Sequence, residues 1–448
     1  MRRAIALGLV VLCMGGALFG IGDEVVFEEA RPTLSFGFLL LAAYLGGDLL
    51  SRLKLPKITG YILVGILFGP HVLDFVREET VADLKLIDDL ALTFIALAAG
   101  GELRLASLRA RRRSILFTVL FLTTLVFAGV MTFTVVARPL FPFLEGQSFI
   151  VVLAAGALLG TFAVARSPSS AIAIISECRA RGPFTEMVLG VTVLMDVLVI
   201  MVFAAVVSVC QALVSPGGDL DFFFLVMVFV EIAGSVVAGG LLGFFVALYI
   251  TKVGVDLAPF ILAVGFLVTF VSRQFAHFLE TTWGLTFHLE PMLICLTAGF
   301  FVTNFSRAGT PFMERIERSS LPIYVVFFSL VGAALDITTL EETWVVALLI
   351  VAVRGSLIWA GAWTGGRIAG DPRVFRTTSG LSFLTQAGVS LGLAGIVANR
   401  FPEWGPALAT TIVAVITVNQ VIGPVAFKLA LTKTGEAGAG RSANGPEE

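Results

Sequence analysis

Apolar residues in this chain fall in long, nearly uncharged runs, and a run of about 20 such residues is long enough to cross a bilayer as a helix. Fourteen runs are legible: 4–22, 33–50, 57–73, 84–101, 114–137, 148–176, 184–214, 221–251, 257–279, 288–304, 319–336, 342–368, 378–399 and 405–429. They are too long and continuous for barrel strands, and only helices or closed barrels satisfy their backbone in hydrocarbon. The expectation is an all-α polytopic membrane protein with 13–14 transmembrane helices. Composition supports it: 57% of residues are hydrophobic and 14% charged, against about 25% charged in typical soluble domains. A cytosolic enzyme, a nucleic-acid partner and a disordered chain are thereby excluded. Cys13, Cys178, Cys210 and Cys295 are far apart and form no CxxC, so no disulfide framework, zinc site or cofactor is indicated.

Basic residues test the span list, because cytoplasmic loops carry excess Lys and Arg. With the N-terminus inside and alternating spans, inner loops hold 22 of the 30 basic residues and outer loops hold 5. Arg166, Arg273 and Arg354 fall inside spans. This orientation places the C-terminus in the cytoplasm, and a chain without long loops suits a prokaryotic plasma membrane. The first segment, MRR followed by an apolar stretch and small residues, fits either a retained helix or a signal peptide. Residues 1–32 are thus a hydrophobic segment and outer loop, 33–429 the transmembrane domain, and 430–448 a polar tail expected to be disordered.

Setting the first segment aside, six spans (33–214) and six spans (257–429) flank a single linking span (221–251). One span between two blocks of six makes the second block enter from the opposite face. Such inverted repeats place a transporter's substrate site at mid-membrane, often at interrupted helices. The fifth span of each block carries an interruption. Segment 148–176 contains Arg166, Ser167, Pro168, Ser169 and Ser170, and Pro168 removes a backbone donor. Segment 378–399 carries Thr385, Gln386, Gly388 and Ser390 near its centre.

A charge at the bilayer centre costs at least about 2.5–3.5 kcal/mol on insertion scales, so it marks function or a paired partner. Asp196, deep in VTVLMDVLVIMVF, is the sharpest candidate. Its carboxylate is a hard oxygen ligand for a small cation and can equally hold a proton. Arg354 is expected to compensate charge, either on Asp196 or on the dipole of a broken helix. Arg166, at the first break, either pairs with Asp196 or recognises an anion. Glu231 reads as structural, and Arg273 as snorkelling toward a span end.

These residues resemble the monovalent cation/proton antiporter superfamily, its second branch in particular (sodium/proton and potassium/proton exchangers). Gly60 to Pro70 is similar to that branch's GYxxxGxxxGP signature, Gly101-Glu102-Leu103 to its G-x-E-L ending, and Gly332–Asp336 and Gln386-Ala387-Gly388 to later landmarks. The resemblance runs from about residue 35 to 428. It implies two crossed broken helices, a homodimerisation domain built from other spans, and elevator-like movement of the core. It further implies that Asp196 is the cation- and proton-binding acid and Arg354 the basic residue before the second broken helix. Two positions depart from the family pattern. Met195 stands where an oxygen-bearing residue usually precedes the aspartate, and Arg166 precedes Ser167-Pro168 at the first break.

The leading expectation is therefore exchange of Na+ or K+ for protons. Asp196 would be the shared site, and Ser167, Ser169, Ser170 and Thr161 would complete the coordination. The alternative keeps the fold but carries an anion at a centre made positive by Arg166 and Arg354, facing half-helix N-termini. A non-transporting sensor is a third reading. HExxH and P-loop patterns are absent, and Gly388-Val389-Ser390-Leu391-Gly392 matches GxSxG in spacing only, inside an apolar run expected to be helical, so no enzymatic activity is expected.

Overall fold

The computed structural model describes residues 2–20, 24–214, 222–254, 257–284, 287–335, 337–386 and 389–439. Among the described residues there is no strand. The helices are α1 (Arg2–Gly20), α2 (Glu24–Ser51), α3 (Lys57–Phe68), α4 (Glu78–Asp83), α5 (Lys85–Glu102), α6 (Leu105–Ala110), α7 (Arg112–Val136), α8 (Phe149–Val164), α9 (Pro168–Glu177) and α10 (Pro183–Val214). They continue as α11 (Phe222–Lys252), α12 (Leu257–Trp283), α13 (Pro291–Phe305), α14 (Gly309–Ala333), α15 (Thr338–Ala369), α16 (Arg373–Ser382), α17 (Val389–Arg400) and α18 (Gly405–Lys433). Nine of the described segments are long and apolar enough to cross a membrane, with α8 and α9 counted as one.

Packing divides the bundle into two helix groups. In one, α15 lies against α7, and α8–α10 and α16–α18 surround the pair. In the other, α5 packs on α13 and α3 on α14, with α2, α11 and α12 around them. Close backbone approach makes these crossings possible, as in lipid, where small residues let helices pack tightly. A Cβ on Gly100 would run into the Leu296 carbonyl, and one on Gly299 into the Leu97 carbonyl. The α3–α14 crossing is built the same way: Gly65 faces the Ser329 carbonyl and Gly332 faces that of Ile62. Part of the GYxxxGxxxGP signature is therefore a packing seam.

Two boundaries differ from the sequence expectation. Helix α14 begins at Gly309, ahead of the expected run at 319. Its first turns are amphipathic: Phe312 and Ile316 are buried while Glu314, Arg315, Glu317 and Arg318 are exposed. A reading by uninterrupted apolar runs passes over such a stretch. The expected disorder from residue 430 is also corrected for residues 430–439. Helix α18 runs to Lys433, and Glu436 beyond it is buried. The Glu436 carboxylate accepts hydrogen bonds of 2.7 Å from the backbone N–H of Phe184, that of Thr185, and the Thr185 hydroxyl. It caps the N-terminus of α10, where orphan amides and the helix dipole favour an anion. Gly438 N–H also donates to the Cys178 carbonyl.

Charge-assisted bonds of this kind contribute more than neutral ones. Replacing Glu436 by Ala is expected to destabilise the detergent-purified protein by on the order of 2 kcal/mol, with Gln recovering part of the loss. Thermal unfolding of the three proteins side by side checks this, and an unchanged midpoint in the Ala variant contradicts it.

Candidate ion-binding site

Two helix breaks meet inside the bundle. The first lies between Val164 and Pro168. Proline at the first position of α9 needs no amide partner there, and Ser167 caps the helix by accepting from Ser170 N–H at 3.2 Å. The break leaves the last carbonyls of α8 without helical donors. The second break follows Ser382 and ends at Val389. Gly388 lies outside the described residues.

Side chains from across the bundle fill the vacant positions. Gln386 Nε2 donates to the Phe162 carbonyl at 2.7 Å, and Asn419 Nδ2 of α18 holds the Gln386 oxygen at 3.1 Å. Arg354 of α15 is fully buried. Its Nε donates to the Ala163 carbonyl (2.9 Å), its Nη2 to that of Ala165 (3.0 Å) and its Nη1 to that of Leu384 (3.0 Å). One guanidinium thus binds carbonyls of both breaks. Arg166 adds Nη1 to the Ala163 and Ala165 carbonyls, at 3.0 and 2.8 Å. A helix C-terminus carries partial negative charge, so cations are stabilising there. Of the two roles open to Arg354 in the sequence, the broken-helix dipole is the one its contacts match.

Asp196 stands apart from this cluster. It is half-buried on α10, facing a cavity of about 20 Å³, room for about one water molecule. The walls are the surrounding face of α10 (Val193, Val197, Ile200) and the start of α13 (Met292, Leu293, Leu296). Glu290, which precedes α13, is the second carboxylate in the lining. Among the described residues no hydrogen bond or ion pair joins Asp196 to Arg166 or Arg354, whose contacts are the carbonyls above.

The other expected ligands are not in that cavity. Ser167, Ser169 and Ser170 are buried at the first break and bond one another, at 3.1 Å for Ser167–Ser169 and 2.9 Å for Ser167–Ser170. Thr161 donates to the Ala157 carbonyl at 2.9 Å. Thr385 is buried at the second break, where it packs against Gly423 of α18. The Ser390 hydroxyl is buried without a partner among the described residues. Glu231 accepts from His288 N–H at 2.7 Å, in keeping with a structural role, and Arg273 pairs with Asp89. Two kinds of residue escaped the sequence reading. Glu290 sits inside the expected run 288–304, where a charge is itself a signal. Asn419 and Gln420, inside 405–429, are uncharged and give a weaker one; both are buried.

Residues 37–433 match the family described as sodium/hydrogen exchanger, transmembrane. The chain is 24% identical over 335 residues to the Na+/H+ antiporter NhaS5 of Synechocystis sp., spanning 73% of this chain and 43% of that protein. It is 24% identical over 432 residues to the high-affinity Na+/H+ antiporter NhaS3 of the same organism, covering 88% of each. The Na+/H+-K+ antiporter GerN of Bacillus cereus is 23% identical over 80% of this chain and 85% of its own length. In fold, the chain is similar to the sodium proton antiporter MjNhaP1 of Methanocaldococcus jannaschii, with a TM-score of 0.69 at 18% identity over 92% of this chain and 98% of that one.

The contacts at the breaks rank the two arginines. Removing one partner of a buried charged network costs on the order of 3 kcal/mol or more. Arg354→Met, which frees carbonyls on both breaks, is expected to lower stability more than Arg166→Met. Parallel unfolding of the two variants in detergent tests this ranking, and the reverse order contradicts it.

Proposed function

Given that the chain belongs to the sodium/hydrogen exchanger family, we propose that Asp196 is the acid on which a monovalent cation and a proton compete. The cation is Na+ or K+. The observation that carries this reading is the isolation of Asp196: a carboxylate inside the bundle, at a cavity, without a basic partner among the described residues. An ion-paired carboxylate would have to lose its partner before taking cargo. This one can hold a cation or a proton, each of which cancels its charge in a low-dielectric setting.

The arginines support the same reading. An anion site would use the outward-pointing N–H groups of Arg166 and Arg354 at half-helix N-termini. Three nitrogens of Arg354 and one of Arg166 instead face carbonyls at half-helix C-termini. The positive charge holds the breaks together, and the donors left to the anion alternative are Arg166 Nε and Nη2, buried without a partner among the described residues.

Movement follows the helix groups. In the proposal, the group around α7 and α15, which carries Asp196 and both breaks, slides against the group around α5 and α13. The inverted repeat belongs to the same reading. Exchanging α3 with α13 and α5 with α14 maps the α5–α13 crossing onto α3–α14, and each carries a glycine pair at its closest approach. A plasma-membrane homodimer, formed through the second group and with the lysine-rich ends of α3 and α18 in the cytoplasm, completes the proposal.

Asp196→Asn keeps the shape of the side chain and removes its charge. In proteoliposomes holding the purified protein, it is expected to abolish cation-dependent proton movement with Na+ and with K+. Exchange at the wild-type rate in that variant rules the reading out. In the wild type, competition for one carboxylate requires the apparent affinity for the cation to fall as pH falls; an affinity independent of pH contradicts a shared site.

A further inference from the structure

Two cavities meet at Glu290. The smaller is the one that holds the Asp196 carboxylate. The larger, about 270 Å³, lies between α5, α12 and the segment leading into α13. Asp89, Thr93, Ser272, Arg273 and His288 line it, and Glu290 and Met292 are common to both linings. Glu290 therefore lies on the boundary between the two cavities, the passage a solute would take from the larger one to Asp196.

The charges around this passage leave Glu290 as its available acid. Asp89 of α5 is in an ion pair with Arg273 of α12. Glu231 of α11 accepts the His288 N–H. The Glu290 carboxylate is in no ion pair among the described residues. Its backbone is pinned, since its N–H donates to Ser235 Oγ of α11 at 3.0 Å. The position of Glu290 is thus fixed on the helix group opposite the one that carries Asp196.

The far end of the bundle is stitched shut by contrast. Glu177, at the end of α9, accepts the backbone N–H groups of Lys57 (2.8 Å) and Ile58 (3.3 Å) at the start of α3. Lys428 of α18 reaches the Leu55 carbonyl at 3.0 Å, and Arg181 pairs with Glu317 of α14 at 3.2 Å. Each contact ties one helix group to the other.

We propose that Glu290 is a second station for the monovalent cation, receiving it from the larger cavity and sharing it with Asp196 across the smaller one. The proposal rests on the reading of Asp196 as the exchange site. It also answers a chemical shortage: Met195, beside Asp196, offers no oxygen, and a hard cation needs several. A carboxylate from the facing helix group supplies one. It does so only while the passage to the larger cavity is open, so it acts on loading from that side.

The test uses the full chain in oriented proteoliposomes, with Na+ and K+ supplied in turn from either side. An acidic group in a narrow apolar cleft raises the local cation concentration about tenfold or more. Glu290→Gln is therefore expected to raise the apparent KM about tenfold for cation presented from the cavity side, with the maximal rate retained. Glu290→Asp is expected to restore most of the affinity. A KM unchanged by Glu290→Gln, or raised equally from both sides, overturns the proposal and leaves Glu290 as a helix-capping residue. Asp196→Asn is run in parallel. Its activity would sink the reading of Asp196 whatever Glu290 does, so the two failures are distinct. Should Glu290→Gln not insert, Ala276→Cys in the wall of the larger cavity replaces it. A cationic thiol reagent is expected to slow entry from that side and an anionic one to spare it; equal effects overturn the proposal.

Discussion

A helix broken inside a membrane exposes carbonyls to a medium that offers no donors, and here one guanidinium answers for two breaks. Arg354 holds Ala163 and Ala165 on one interrupted helix and Leu384 on the other. Both breaks depend on it, because a lone orphaned carbonyl in hydrocarbon costs several kcal/mol. Arg166 shares the Ala163 and Ala165 carbonyls with Arg354, and Gln386 takes up that of Phe162. The rest of the α7–α15 group is arranged around this knot, including α10, whose N-terminus is fixed from outside by Glu436.

The knot separates charge by role. Positive side chains face the negative ends of half-helices, where a cation is stabilised. Negative charge is left on Asp196, at an apolar cavity wall and away from those guanidinium groups. The separation matters for exchange, because an acid permanently paired to an arginine has no affinity left for cargo. It also accounts for Arg166, a residue that looks hostile to a cation in the sequence. Among its contacts are the carbonyls of its own helix break.

Much of this was legible in the sequence because hydrocarbon enforces simple rules. Long apolar runs became helices, and Pro168 with its serines marked the first break. A single acid in VTVLMDVLVIMVF marked the residue at which exchange is proposed. What escaped has a common physical reason: it depends on which groups meet across the bundle. Nothing local to Arg354 says that it faces Leu384 rather than Asp196. The serines near Pro168 have oxygens suited to a cation, yet they bond one another at the break. Glu436 lies in a Gly- and Ala-rich stretch, and only its contact with the start of α10 orders it. Amphipathic turns such as those at the start of α14 are hidden from any reading that seeks uninterrupted apolar runs.

In the proposed exchange, cargo binds at the acid and the arginines belong to the backbone. Thallium(I), a monovalent cation with strong anomalous scattering, reports this directly in crystals of the wild-type protein. An anomalous peak is expected beside the Asp196 carboxylate, in the cavity lined by Glu290, and is expected to disappear in Asp196→Asn. A cavity without thallium, together with a bromide peak at Arg166 and Arg354, would contradict it.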